Sequence, residues 1–227
     1  MRRAQRKAKP AKRKTKPIIV HLGNIGIPGE PTAAETIRLA QRVPGLRVIG
    51  IDKRRPPSTF ERPWKKNWRE KEMPRGYYGR QIKNWQQVQA DFRRGLEQLR
   101  DNSVSHITSK LGLGHYTAAA KELKKAELYE VSPNIFLQRQ KYYERLKPFV
   151  KKHTAEVLQI AYRKLKSGGR VKLVVGEPVL EVVKTALAKT PFEQEKIEIR
   201  KIPSKRYVGT AEMRTYEYPM YRVTAQK

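Results

Sequence analysis

Apolar positions along this chain come in short runs divided by turn formers, and the runs switch between a strand period and a helix period. The first is Ile18-Ile19-Val20-His21-Leu22, a continuous buried-strand pattern that runs into Gly23. Residues 24–31 are rich in Gly and Pro and read as a loop. Thr32 with Glu35 three positions later forms a capping box, opening a helix with Ala33, Ile37 and Ala40 on its apolar side. Pro44-Gly45 stops that helix, and residues 46–51 form a second strand ending on Asp52. Strand, glycine loop, helix and strand in this order make a βαβ unit, whose crossover is right-handed.

Periodicity is lost over residues 53–84 and returns at 85–90, a weak strand followed by Asp91. A short helix is predicted over 92–99, a turn at Asp101-Asn102, and an alternating strand over 103–109. Residues 113–152 read as helical and basic, broken at Ser132-Pro133-Asn134. Thr154 is placed to cap a further helix with Val157, Leu158, Ala161 and Leu165 on one face, ending at Ser167-Gly168-Gly169. A strand over 170–175, a helix over 179–188, and strands over 196–200 and 218–224 complete the chain, the last two linked as an antiparallel return at one sheet edge. Seven strands with helices between them predict an α/β fold with a doubly wound, mostly parallel seven-stranded sheet.

Charge changes this picture more than size does. The 227 residues carry 51 Lys and Arg against 21 Asp and Glu, a net charge of +30. Residues 1–16 hold nine of those cations and no acid, with no apolar period, so they are expected to form a disordered basic arm. Removing the arm still leaves +21 on the other 211 residues, so the basicity belongs to the predicted domain, 17–227, as well. A field of that size draws phosphate backbones by counterion release. No run long enough to span a membrane and no amphipathic basic-aromatic helix is present, which favours nucleic acid over a lipid surface. The absence of cysteine excludes disulfides, thiolate nucleophiles and Cys-based metal sites. A soluble cytoplasmic protein facing a polyanion is the resulting expectation.

Candidate chemistry gathers where strands end. The glycine loop after the first strand leads into a helix whose N-terminus can face a polar or anionic group. Asp52 ends the second strand, where a carboxylate can accept both ribose hydroxyls of a nucleoside. Asp91 ends the third, within reach of the exocyclic amine of a purine. A Walker phosphate loop is excluded, because Glu30 follows Gly29 where a lysine is required. The four histidines, His21, His106, His115 and His153, lack metal-ligand spacing, so no metal is expected.

The blocks Leu22-Gly23 through Thr32, Val48-Ile49-Gly50-Ile51-Asp52, Gln89-Ala90-Asp91-Phe92, the segment 99–107, and Leu165-Lys166-Ser167-Gly168-Gly169-Arg170-Val171 follow one another in a telling order. Together they resemble the class I S-adenosylmethionine-dependent methyltransferases. The resemblance implies a Rossmann-like seven-stranded sheet with one antiparallel strand at its edge, and S-adenosylmethionine as cofactor. It would place Gly23 and Gly29 by the methionine moiety, Asp52 on the ribose, and Asp91 with Phe92 at the adenine. Three features depart from the family pattern: His21 stands where an acid is usual, the loop glycines 23, 26 and 29 are widely spaced, and Ser105 replaces a frequent fourth-strand Asp.

Insertions are expected at about 53–84 and 113–152. The first mixes cations with Phe60, Trp64, Trp68, Tyr77 and Tyr78, the combination that neutralises RNA backbones and stacks on unpaired bases. The residues assigned to RNA are Arg54, Arg55, Lys65, Lys66, Arg69 and Arg75, with Tyr77 and Tyr78. The function expected is methyl transfer to RNA, either tRNA or rRNA. The alternative is a methyltransferase-like protein without catalysis that binds RNA or the ribosome structurally, and a DNA-coating basic protein is a third reading.

Overall fold

The computed structural model describes residues 16–23, 34–52, 82–110, 113, 135–203, 207–208, 215–216 and 219–227. The basic arm up to residue 15, the loop 24–33 with its capping Thr32, and most of both predicted insertions lie outside the described residues. In chain order the elements are β1 (Ile18–Leu22), α1 (Ala34–Arg42), β2 (Arg47–Asp52), β3 (Trp85–Gln89), α2 (Phe92–Glu97), β4 (Val104–Lys110) and α3 (Ile135–Lys164). There follow β5 (Leu165–Gly176), α4 (Glu177–Leu187), a short 3-10 turn, β6 (Ile197–Ile202), β7 (Tyr207–Val208), β8 (Thr215–Tyr216) and β9 (Met220–Gln226).

Seven strands form one sheet in the order β3-β2-β1-β4-β5-β9-β6, while β7 and β8 pair separately. β1 to β5 pair in parallel, and β9 runs antiparallel to both of its neighbours, β5 and β6. This is the doubly wound, mostly parallel sheet that the chain's periodicity predicts and the methyltransferase resemblance implies. The antiparallel strand sits one place in from the edge, and β6 is the edge itself.

Pleat alternation divides the apolar residues between two faces. Val20, Leu22, Ile49, Ile51, Ile107, Leu173 and Val223 point to one face, where they pack with Leu96 of α2, Val157, Leu158 and Ala161 of α3, and Val183, Ala186 and Leu187 of α4. Each such fully buried Leu, Ile or Val contributes ~1.5–3 kcal/mol. The other face is covered differently. There Ile19 and Val48 pack against Ala40 of α1, with Leu39, Val43 and Trp85 around them. Asn84 closes this layer: its side-chain amide donates to the carbonyls of Ala40 (2.9 Å), Val43 (3.2 Å) and Leu46 (2.9 Å), satisfying the end of α1. Among the described helices only α1 lies on this face, where it packs over β1, β2 and β3.

Two boundaries differ from the sequence expectation. Thr154 does not start a helix; it is fully buried in the middle of α3, which runs unbroken from 135 to 164 with Pro148 inside it. The expected break at Ser132-Pro133-Asn134 lies outside the described residues. Ser167-Gly168-Gly169 ends no helix either. Leu165 already pairs with Val104, and the next pairing is Arg170 with His106, so these residues form a bulge inside β5. Helix passes to strand between Lys164 and Leu165. Lys164 is 4% exposed and fixes that junction, its Nζ donating to Asp101 Oδ1 (2.7 Å) and to the Glu97 carbonyl (3.3 Å).

Candidate functional site at the carboxyl edge of the sheet

In an open parallel sheet the chain's winding direction reverses at one strand, and a crevice opens there beyond the carboxyl ends. Here the reversal falls at β1, whose neighbours are β2 on one side and β4 on the other. Gly23 leaves β1 with φ 80°, a left-handed backbone that favours glycine, and its N–H donates to the Ile51 carbonyl at 2.9 Å. That bond extends the β1–β2 pairing by one residue and sets Gly23 beside the end of β2, next to Asp52. Asp52 is 6% exposed, and its backbone carbonyl accepts the N–H of Ala90 at 3.0 Å, which draws the end of β3 to the same edge.

Asp91 follows as the N-cap of α2. Its Oδ1 accepts the backbone N–H groups of Arg93 (3.1 Å) and Arg94 (3.2 Å), and both guanidinium groups lie within 4 Å of its carboxylate, at 3.8 and 3.6 Å. Burial alone would raise its pKa. The N–H of Arg94, the charge of Arg93 and the remaining contacts outweigh burial and hold the carboxyl below the ordinary Asp value. A lowered folded-state pKa means the cap stabilises the fold above the ordinary Asp range and is lost as pH falls through the folded-state value. Asp91→Ala is therefore expected to cost about 0.5–2 kcal/mol at pH 7. Urea unfolding should show that difference shrinking below pH ~4; a constant difference would mean the carboxylate charge plays no part.

Phe92 packs partly buried against the main core and sits 6.4 Å, centroid to centroid, from the ring of His153 on α3. On the β4 side, Ser109 is the residue that sequence reasoning missed. Its hydroxyl donates to the Leu22 carbonyl (2.9 Å) and accepts the N–H of Leu113 (3.0 Å), tying the ends of β1 and β4 and holding Leu113 close to them. Its signal was present, as a polar residue closing an alternating strand. Ser105, by contrast, is the second residue of β4, about 17 Å of strand away from Lys110. His21, 4% exposed, has its Nδ1 2.8 Å from Thr108 Oγ1.

The structure thus brings Gly23, Asp52, Asp91 and Phe92 to one edge of the sheet. Gly29 and the eight residues assigned to RNA, Arg54, Arg55, Lys65, Lys66, Arg69, Arg75, Tyr77 and Tyr78, lie outside the described residues. Among the described residues no group of three His, Asp or Glu side chains could hold a metal, and no helix is long and apolar enough to cross a membrane. A buried carboxylate at a strand end beside a glycine can accept hydrogen bonds from a polyhydroxyl ligand and orient it.

No protein-family model matches the chain, and no curated protein matches it. Solved structures do align over nearly its whole length. One is the 16S rRNA (adenine(1408)-N(1))-methyltransferase from Catenulisporales acidiphilia with cosubstrate SAM, 14% identical, covering 93% of this chain and 86% of that one at a TM-score of 0.49. A SAM-dependent O-methyltransferase from Thermotoga maritima is 14% identical over 94% of this chain and 60% of that one, with a TM-score of 0.47. A SAM-dependent methyltransferase from Archaeoglobus fulgidus is 12% identical over 94% and 87%, also at 0.47. The doubly wound fold itself stands on the strand order and pairing of this chain.

Proposed function

We propose that this chain is a cytoplasmic S-adenosylmethionine-dependent methyltransferase that acts on RNA, either tRNA or rRNA. The observation that carries the reading is the meeting of Gly23 and Asp52 at the carboxyl edge of a doubly wound sheet, at the strand where winding reverses. The residues fit the cofactor: Asp52 supplies a carboxylate for two ribose hydroxyls, and Gly23 leaves β1 with no side chain to obstruct a ligand. Asp91 spends Oδ1 on its helix cap, and Oδ2, 3.6 Å from the Arg94 guanidinium, would take an exocyclic amine as that exposed side chain swings aside; the reading assigns Phe92 to the adenine and Gly29 to the methionine moiety.

When bound, S-adenosylmethionine supplies an electrophilic methyl group on sulfonium sulfur. What the chain adds is placement. Ser109 ties the β1 and β4 ends together at the edge where the cofactor would sit. Aligning a nucleophile with the methyl carbon can contribute about 7–11 kcal/mol through proximity, without a general base. RNA as the partner rests on the +30 charge and on the aromatic, basic composition of residues 53–80, with Arg69, Arg75, Tyr77 and Tyr78 as the residues that choose the substrate.

A second reading, an RNA- or ribosome-binding protein without catalysis, draws on His21, which stands buried where an acid is usual in the family. Isothermal titration with S-adenosylmethionine separates the two. A measurable dissociation constant, followed by transfer of labelled methyl to RNA, is the expected result. Neither heat nor a thermal shift at millimolar ligand would leave the second reading standing.

A further inference from the structure

Parallel sheets are ordinarily buried on both faces, and their strands read as continuous apolar runs. The half of this sheet built from β4, β5, β9 and β6 departs from that. On the face shared with α1, β5 presents Arg170 and Lys172, β9 presents Arg222 and β6 presents Arg200, all exposed, while Val171, Leu173 and Val223 fill the opposite face. No described helix covers this half, since α1 packs over β1, β2 and β3. Glu198 is the lone acid in the described residues of these four strands, and it is already bonded to Arg200.

Register sharpens the observation. Arg222 stands directly opposite Arg200 across an antiparallel pair. Like charges so placed, with Cβ atoms ~4.5–5.5 Å apart, are destabilising. Arg170 and Lys172 are two residues apart on one face, about 6.7 Å, and Arg222 lies diagonal to Lys172 at ~7–8 Å. A solubilising surface mixes signs instead of stacking one sign on a flat platform. His106, opposite Arg170 on β4, reports the same field: burial first, then Arg170, Lys172 and Lys166, hold its pKa below the ordinary histidine value.

We infer that this exposed cationic sheet face is a docking platform for the phosphate backbone of RNA, formed by Arg170, Lys172, Arg222 and Arg200 and distinct from the crevice at the strand ends. The proposal rests on the RNA reading above and names the surface that would serve it. No aromatic side chain of β5 or β9 lies on this face, because Tyr221 belongs to the other one. The platform therefore positions a strand through its phosphates and reads no bases.

The test compares two full-length variants that each lose three charges. One is Lys172→Gln/Arg200→Gln/Arg222→Gln on the platform; the other is Lys152→Gln/Lys184→Gln/Lys189→Gln on exposed positions of the helical side. Affinity for single-stranded RNA is measured across a salt series. The platform variant should lose on the order of tenfold or more in affinity, and the slope of log K against log salt should flatten by about 2, from ~0.7 for each lost phosphate contact. The helical-side variant should change far less. Equal losses in the two variants, or an unchanged slope in the first, would overturn the proposal. So would duplex DNA bound by the wild type as tightly as RNA and lost equally from the platform variant.

A measurement on the unaltered chain guards against misfolding. Added RNA should raise the pKa of His106, followed by NMR of the imidazole, because the phosphates neutralise Arg170, Lys172 and Lys166; a His106 pKa indifferent to saturating RNA would count against the platform. S-adenosylmethionine titrated into both variants should give wild-type affinity. Absence of cofactor binding in the wild type would sink the methyltransferase reading and leave the platform result intact.

Discussion

Asp52→Ala is expected to weaken S-adenosylmethionine binding by on the order of a hundredfold or more while leaving the thermal transition nearly in place. The carboxylate stands at the end of β2, 6% exposed, beside Gly23, whose N–H bonds the Ile51 carbonyl of the same strand. Hydrogen bonds to a charged acceptor contribute ~1.5–3 kcal/mol each, and two ribose hydroxyls would share this one. At ~1.4 kcal/mol for each factor of ten, their loss exceeds two decades in dissociation constant. Asp52→Asn keeps the shape and one acceptor oxygen and should fall between the two. A cofactor analogue lacking both ribose hydroxyls should bind the wild type about as poorly as the parent binds Asp52→Ala. Titration calorimetry reads all three, and an unchanged dissociation constant in Asp52→Ala would remove the carboxylate from the site.

The second large effect is structural and lies one residue back along β2. Gly95, in α2, faces Ile51 so closely that a Cβ built on it would sit 2.4 Å from Ile51 Cγ2 and 3.0 Å from Cδ1. Ile51 is fully buried between Leu22 and Leu96 in the main core, so it has nowhere to turn. Overpacking of this kind costs ~1–3 kcal/mol, a large share of a total stability of ~5–15 kcal/mol. Gly95→Ala should lower the urea midpoint accordingly, and Gly95→Val should lower it further. Ile51→Ala removes the clashing methyl, so in that background Gly95→Ala should cost almost nothing. This coupling is what a double-mutant cycle isolates. Additive losses would show that the helix moves away without pressing on β2.

How far the sequence carried the fold can be judged from single elements. β1 and β2 were legible as dense apolar runs whose ends are marked by Gly23 and Asp52, and β4 by its alternation of polar and apolar residues. The end of α3 was not. Leu165 fits the apolar stripe of the preceding helix and equally the first position of a strand, and only its pairing with Val104 decides between them. Thr154 shows the same ambiguity in reverse. A threonine suits a cap, yet its hydroxyl is also tolerated mid-helix, where it is in fact fully buried.

At the site, Gly23 and Asp52 could be found because glycine turns and strand-terminal acids are local signals. Asp91 carried a second local signal that went unused: an acid immediately before a short amphipathic segment is the pattern of an N-cap. Ser109 was marked only as a polar residue closing an alternating strand, and its role depends on the Leu22 carbonyl, 87 positions earlier in the chain. The wet half-face was half legible. The alternation of Arg170-Val171-Lys172-Leu173 and of Tyr221-Arg222-Val223-Thr224 announced one exposed side, but which cations share it follows only from register.

The position of β9 also bears on how the molecule is assembled. It is the last strand of the sheet in chain order, yet it lies inside the sheet, between β5 and β6. β6 touches no other strand of the seven, so although residues 197–202 are made earlier, they have no edge to join until residues 220–226 arrive. During synthesis the five parallel strands can consolidate first, leaving β5 with an open edge and β6 as a tethered, unpaired segment. Closure of the sheet is then a late event, governed by a non-local pairing across β5, β9 and β6, and the interval before it is when the β5 edge is open to the wrong partner.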